Sequence, residues 1–325
     1  MTELIAARFH PLYEERLHLL AGVTAPGAAD TPETLDRRRA FEAPFGDPHL
    51  PEVDTEELQI PGPNGPVRVR IYRGVDKGAA PPPVLVWMHG GAFMYNDLEV
   101  PEADHFARHM AHRTGTVVIS VDYRLCDERT HMPVPHDDCY AAYTWVRQNT
   151  DHLGIDPSRI AVGGGSAGAN LAASVALHAG DTGQKPWQML LAYPIVHPVL
   201  PPPSPELRDA LATTPTAMRF LPASTHSINE YVMGRPNSSA TPYDFPGLAA
   251  DFSKFPPAYI ENSEFDELRA SGEAFAASLE AAGVPVEMVT ARGVPHGHLN
   301  AVGSPMLEEA YQRFAARLRN GPTND

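Results

Sequence analysis

Six short apolar runs, VLVWM (84–88), VVISV (117–121), IAVGG (160–164), MLLAY (189–193), PAYIE (257–261) and VEMVT (286–290), alternate with helix-patterned stretches near 102–114, 135–150, 167–179, 267–282 and 304–319. Runs of this length without strict polar alternation suit strands buried on both faces. Their alternation with helices is how a chain winds a mainly parallel sheet covered on both sides. Ahead of them EELQI and VRVRIY flank the turn cluster PGPNGP and read as an antiparallel hairpin, which brings the expected sheet to eight strands. The fold class is α/β.

Two regions depart from this rhythm. Leu4, Ile5, Phe9, Leu12, Leu17, Leu19 and Leu20 fall at helical spacing, so an amphipathic helix is expected to open the chain. It breaks at the stretch from Gly22 to Pro32, and a second helix follows around Thr34 to Phe41. Between Pro194 and Phe255 the sequence is rich in Pro, Ser and Thr, with helix-like pieces near 205–212 and 223–233, and is too long for a plain connection. Its Phe220, Leu221, Ile228, Tyr231 and Phe245 argue for packed structure standing over the carboxyl edge of the sheet. The organisation expected is N-terminal cap helices over 1–50, a catalytic core over 51–198 and 247–325, and a cap insertion over 199–246.

Apolar residues make up 43% and charged residues 20% of 325 residues, the composition of a globular protein able to bury a large core. Acidic side chains outnumber basic ones 40 to 25, a field that repels phosphate backbones and anionic membrane faces, so neither nucleic acid nor membrane is an expected partner. Charges at Glu3, Arg8, Glu14, Glu15 and Arg16 interrupt every apolar run near the start, unlike a secretory signal, and no run approaches a membrane span. Cys126 and Cys139 suggest no disulfide framework, and cytoplasmic residence is the expectation.

The chemistry is carried by residues at strand ends. In RIAVGGGSAGANLAASVAL, Gly164, Ser166 and Gly168 lie between a buried strand and an apolar helix, the nucleophile-elbow pattern in which small neighbours let the backbone make a tight turn under an exposed serine. Gly163, Gly165 and Gly168 also spell GxGxxG, but three strands come first and Asp181 precedes the next strand, which does not suit a dinucleotide site; no Lys follows to make a P-loop. HGGAF (89–93) follows VLVWM and offers backbone N–H groups of Gly90, Gly91 and Ala92 to a developing alkoxide. In the order Ser, acid, His, Asp266 follows PAYIE and His296 follows VEMVT, at the same sheet edge as Ser166. His298 competes with His296 as base and Glu264 with Asp266 as acid. No HExxH or cysteine ligand set accompanies the two histidines, so no metal is expected.

HGGAF, DYRL (122–125), GGSAGAN (164–170), FDELR (265–269) and PHG (295–297) together resemble the hormone-sensitive-lipase-like esterase family, from about residue 56 onward. The resemblance implies an α/β-hydrolase core with a helical cap, and Ser166, Asp266 and His296 as triad. It also implies an oxyanion hole from the N–H groups near Gly90, Gly91 and Ala92 and that of Ala167, and His89, Asp122, Tyr123 and Arg124 as supports of that loop. Homodimers are common in such a family. Three positions depart: Gly165 stands where the family commonly has Asp, Ala92 where it has a third Gly, and Cys126–Asp127 where it has Ala-Pro. Ala92 still offers an N–H; the hydrogen bonds an Asp makes beside the elbow are left unassigned.

The function expected is ester hydrolysis of a small-molecule substrate through an acyl-enzyme, with no cofactor and with a preference for short acyl chains under a roof that includes Tyr13, Leu17 and Leu20. Amide, carbamate or lactone hydrolysis on the same triad is the alternative. A non-catalytic binding protein on this fold would be marked by a missing Ser or His, and both are present.

Overall fold

The hydrophobic runs become strands because β-branched and aromatic residues pack best on a pleated surface covered on both sides. The structure, a computed structural model, describes residues 8–25, 31–75 and 80–322. Its eight strands are β1 (Val53–Ile60), β2 (Val67–Gly74), β3 (Val84–Met88), β4 (Val117–Asp122), β5 (Ile160–Gly165), β6 (Met189–Ala192), β7 (Ala258–Phe265) and β8 (Val286–Pro295). They lie in the order β1-β2-β4-β3-β5-β6-β7-β8. β1, β2 and β4 are joined antiparallel and all other pairings are parallel. Every residue of β3, β5, β6 and β7 is buried, as a sheet with two covered faces requires.

The helices are α1 (Pro11–Glu14), α2 (Pro32–Glu42), α3 (Asp104–Thr114), α4 (Val134–Gln148), α5 (Thr150–Leu153), α6 (Ala167–Asp181), α7 (Pro205–Ala212), α8 (Pro222–Met233), α9 (Arg269–Ala281) and α10 (Pro305–Asn320). Strand side chains alternate between the two layers. Leu85 and Trp87 join Phe106 and Met110 of α3 and Phe314 of α10 in one core. Val84, Val86 and Met88 join Cys139 and Tyr143 of α4, Leu171 and Val175 of α6 and Phe275 of α9 in the other. Trp87 stacks on Phe106 at 4.0 Å and meets Phe314 edge-on, and truncating so central an aromatic would cost about 3–5 kcal/mol.

The helix expected to open the chain is not continuous. Its first seven residues lie outside the described ones; beyond them the chain forms only the one-turn α1 and a 3-10 turn at Leu17–Leu20. Pro11, which supplies no N–H and holds the preceding His10 extended (ψ 140°), fixes where α1 begins: a helix can start there but cannot pass through. The second expected helix is α2, held at its start by a reciprocal cap between Thr31 and Thr34. The insertion helices fall where their patterning placed them.

Phe9, Tyr13, Leu20, Val23 and Phe41 pack against Ala210, Ala217 and Met218 of the insertion and against Phe265, Ala291 and Val294 at the sheet edge. Arg38 of α2 donates to the Ala217 carbonyl at 3.1 Å, and Glu206 of α7 pairs with Arg292 of β8 at 2.7 Å. Phe245, by contrast, is buried in the main core beside Phe93, so the end of the insertion belongs under the sheet edge rather than in the roof. Among the described residues no helix is long and apolar enough to cross a membrane.

Candidate active site

β5 ends at Gly165 and α6 begins at Ala167, leaving Ser166 to make the whole turn at φ 54°, ψ −117°, a conformation rare for a residue with a side chain. The strain is held from outside: the Ser166 N–H donates to the Ala192 carbonyl of β6 at 2.9 Å, and the Ser166 carbonyl accepts from Asn170. The flanking glycines are dictated by space. A Cβ at Gly164 would lie 2.6 Å from the Met88 carbonyl oxygen, and one at Gly168 would be 2.5 Å from the Met88 carbonyl carbon, because α6 runs hard against β3.

β7 and β8 run further than their apolar runs, through Asn262, Ser263 and Glu264 on one and Arg292 and Gly293 on the other, and so carry Asp266 and His296 directly to the sheet edge. The His296 Nδ1 lies 2.7 Å from Asp266 Oδ2 and its Nε2 lies 2.9 Å from Ser166 Oγ. Asp266 is fully buried, and its Oδ1 accepts from the Leu268 N–H at 2.9 Å. With one carboxylate oxygen so occupied, Oδ2 is left to accept from the imidazole, which leaves Nε2 free to accept the serine proton.

The competing residues are employed elsewhere. His298 is buried, with Nδ1 2.9 Å from Ser263 Oγ and Nε2 2.9 Å from Glu261 Oε1. Glu261 also accepts two bonds from Arg313 at 2.8 Å; burial pushes its carboxyl up, yet the hydrogen bonds from Arg313 and His298 and their charges outweigh this and hold it at about 2. Glu264 accepts from the Gly293 N–H at 2.6 Å and from Arg292 at 2.9 Å, clasping β8 rather than reaching His296.

The HGGAF loop leaves β3 in an unusual conformation. Gly91, Ala92 and Phe93 all have positive φ (123°, 51° and 64°) and form a left-handed turn closed by the Met94 and Tyr95 N–H groups onto the Gly91 carbonyl. As at the start of any helical turn, the first N–H groups are left over, and those of Gly91 and Ala92 meet no acceptor among the described residues. Gly91 and Ala92 line one cleft together with Ser166 and His296. Gly90 does not fit the part expected of it. Its N–H donates to the Glu102 carboxylate and is therefore spent before any alkoxide forms.

The expected loop supports divide likewise. His89 is buried and stacked on Tyr123 at 4.4 Å, its Nδ1 donating to the Gly90 carbonyl at 2.6 Å, while the Tyr123 hydroxyl donates to the His89 carbonyl at 2.7 Å. Burial pushes the His89 imidazole below the ordinary histidine range. Asp122 and Arg124 turn away. Asp122 pairs with Arg68 of β2 at 2.9 Å and Arg124 with Asp138 of α4, so they hold the chain on either side of Tyr123 instead of touching the loop. The patterning of the sequence missed Glu102, Tyr193 and Asn300. None sits in a motif of its own, and only the end of MLLAY, where Tyr193 follows β6 at the catalytic edge, carried a signal.

Beside Ser166 lies a small apolar hollow of about 30 Å³ whose walls include Phe93, Ile195, Phe220, Ile228 and Leu268. The site also opens into a cleft of about 960 Å³ that shares Ala92, Phe220 and Ile228 with this hollow and reaches Tyr95, Tyr231, Arg38 and Glu42. A further hollow of about 240 Å³ runs from His296 under Tyr13, Leu20, Phe41 and Met218. Phe220 packs edge-on against the His296 ring at 4.6 Å.

Fold and site together define a serine hydrolase of the α/β-hydrolase class. Residues 85–300 match the family described as alpha/beta hydrolase fold, and the chain belongs to it, in the hormone-sensitive-lipase-like branch its motifs resemble. It is 34% identical to esterase LipI of Mycobacterium tuberculosis over 87% of either chain, and 38% identical to carboxylesterase NlhH of the same species over 83% of either. Among solved structures, a hyperthermophilic esterase from the archaeon Pyrobaculum calidifontis superposes with a TM-score of 0.80 at 32% identity, covering 96% of this chain and 98% of that one.

Proposed function

We propose that this carboxylesterase works through Ser166, His296 and Asp266, with an oxyanion hole formed by the N–H groups of Gly91, Ala92 and Ala167, and that it prefers short acyl chains. The chain is an ester-hydrolysing enzyme; relatives named esterase and carboxylesterase favour esters over amides, carbamates or lactones. The observation that carries the assignment is the unbroken relay from Asp266 Oδ2 through His296 to Ser166 Oγ, at 2.7 and 2.9 Å.

Ser166 Oγ attacks the ester carbonyl carbon as its proton passes to His296 Nε2. The carbonyl oxygen takes the electron pair as an alkoxide and is held by the three N–H donors, that of Ala167 being reinforced by its place at the start of α6. Collapse of the adduct breaks the bond to the alcohol oxygen, which takes the proton from His296 and leaves. Water then gives its proton to His296, attacks the acyl-serine and releases the acid, returning the proton to Ser166. The buried Asp266 holds the imidazolium through both halves.

The small hollow supports the chain-length reading. It has room for about two water-sized groups, whereas the larger spaces lie toward His296 and the open cleft, where a leaving alcohol would go. An acetyl group fits the hollow itself, and acyl chains up to about six carbons would run on into the adjoining cleft, which shares Phe220 and Ile228 with it. kcat/KM across p-nitrophenyl acetate, butyrate, hexanoate, octanoate and palmitate tests this; an optimum at octanoate or beyond, or a rate jump above the critical micelle concentration, would defeat it. Cytoplasmic residence belongs to the same reading, supported by two buried, unpaired cysteines.

A further inference from the structure

The carboxylate of Glu102 is almost wholly buried, although Glu102 lies in an irregular turn ahead of α3 and belongs to no motif. Three donors converge on it: the Gly90 N–H on Oε1, and on Oε2 the Tyr193 hydroxyl at 2.6 Å and the Asn300 amide at 3.4 Å. Each comes from a different catalytic segment. Gly90 opens the oxyanion loop. Tyr193 follows β6 and lays its ring edge-on against His296 at 4.9 Å. Asn300 lies in the turn beyond His296, and its side-chain oxygen accepts from the Glu102 N–H at 3.0 Å.

Two glycines mark how tightly this group is set against the nucleophile. A Cβ on Gly90 would come within 2.5 Å of Glu102 Oε1 and 3.2 Å of the Ser166 Cβ. A Cβ on Gly165, the residue before the nucleophile, would come within 2.7 Å of Glu102 Oε2 and 3.2 Å of the Tyr193 hydroxyl. The Glu102 carboxylate therefore stands where the carboxyl of an acidic side chain at 165 would stand, delivered from another part of the chain. A buried carboxylate that accepts several bonds fixes its donors far better than water would.

We propose that Glu102 is a positioning residue for catalysis, setting the oxyanion loop against the nucleophile and the base loop, and that it takes the place left by Gly165. By spending the Gly90 N–H it turns the next two N–H groups, those of Gly91 and Ala92, toward the alkoxide. Its influence falls on the transition state, where charge appears on the oxygen, and hardly on the ground state. This inference rests on the assignment of Ser166 and the oxyanion loop made above.

The test is a set of variants assayed on p-nitrophenyl acetate, each also measured for melting temperature and for affinity toward a trifluoromethyl ketone, which forms a serine adduct that mimics the alkoxide. Glu102→Gln is nearly isosteric and should fold normally while losing about threefold to tenfold in kcat, with KM little changed and inhibitor affinity falling in step with kcat/KM. Glu102→Ala should lose about a hundredfold. Gly165→Asp alone should lose at least about tenfold, since it drives two carboxylates into one space. Glu102→Ala combined with Gly165→Asp should run at least about fivefold faster than Glu102→Ala, because the acid is restored from the other side. A residue that merely held the fold would lower the melting temperature but leave kcat per folded molecule and inhibitor affinity unchanged. That pattern in Glu102→Gln, or a double variant no faster than Glu102→Ala, would overturn the proposal. Ser166→Ala, run alongside, separates the two readings: if it is dead while Glu102→Gln is unaffected, only this inference fails, whereas an active Ser166→Ala enzyme removes the site assignment itself.

Discussion

Replacing Asp266 by Asn changes one atom and should reverse the tautomer of the catalytic base. In the native site Oδ1 is pinned by the Leu268 N–H at 2.9 Å and Oδ2 faces His296 Nδ1 at 2.7 Å. An Asn in the same pocket must keep its oxygen toward Leu268, because turning it over would bury two N–H donors against each other at a cost of about 1–3 kcal/mol. The amide nitrogen then faces Nδ1 and donates to it, so the imidazole proton moves to Nε2, the atom that has to accept from Ser166. Loss of the usable tautomer and of the buried counter-charge should lower kcat by roughly three to four orders of magnitude, or about 4–5.5 kcal/mol of transition-state stabilisation, with KM changed little. The assay is kcat and KM on p-nitrophenyl acetate, with Glu264→Gln as companion. That variant breaks the clasp on Gly293 and Arg292, so it should lose melting temperature and keep its rate within a few-fold. A rate for Asp266→Asn within tenfold of the native enzyme would refute the argument, and a dead Glu264→Gln would move the acid to that residue.

His296→Ala should be inactive in the same assay, whereas His298→Ala, which strips Glu261 of a partner, should keep catalysis within about tenfold and lose stability instead; the opposite ranking would place the base two residues on. Ile228→Ala should widen the hollow beside Ser166 and shift the acyl optimum toward longer esters by about two carbons, read from kcat/KM across the p-nitrophenyl series. Burial, aided by the neighbouring His178, holds His136 down to about 4, and burial alone does the same for His197, against an ordinary 6.5 for both. The unfolded chain therefore binds more protons in that range, so stability is complete above about pH 6.5 and is lost progressively toward pH 4; a melting temperature flat across this window would contradict the assignment.

The placement of the candidate site was legible because it follows from topology: Ser166, Asp266 and His296 each come directly after the last residue of a strand, and chain order fixes which edge they share. Locally encoded features were equally readable, as in α2, where Thr31 and Pro32 announce the start. What escaped was either a competition between two local signals or a contact distant in sequence. Phe9, Leu12 and the leucines to 20 spell one continuous helix, but Pro11 holds His10 extended and lets α1 begin only after it. β7 looked four residues too short because its last turns toward the site are polar: Asn262, Ser263 and Glu264 are buried there yet read as loop. Gly90 resembles an oxyanion donor until Glu102, twelve residues on, takes its N–H. Asp122 and Arg124 resemble loop supports until Arg68 and Asp138, on other elements, claim them.

The roof over Ser166 is assembled from two pieces that are far apart along the chain, α1 and α2 at one end and the region of Ala210 to Met218 in the middle, and they meet only over the finished sheet edge at Phe265, Ala291 and Val294. Neither piece can bury its apolar side alone, so closure of such a long loop must await the sheet that brings them together. The cap is thus expected to form late in folding and to loosen first on warming, while β3 to β7 hold beneath it. Because these pieces line the hollow beside His296 and not the one beside Ser166, warming is expected to blunt discrimination among leaving alcohols before it abolishes hydrolysis, which kcat/KM for esters of one acid with different alcohols, measured at rising temperature, would show.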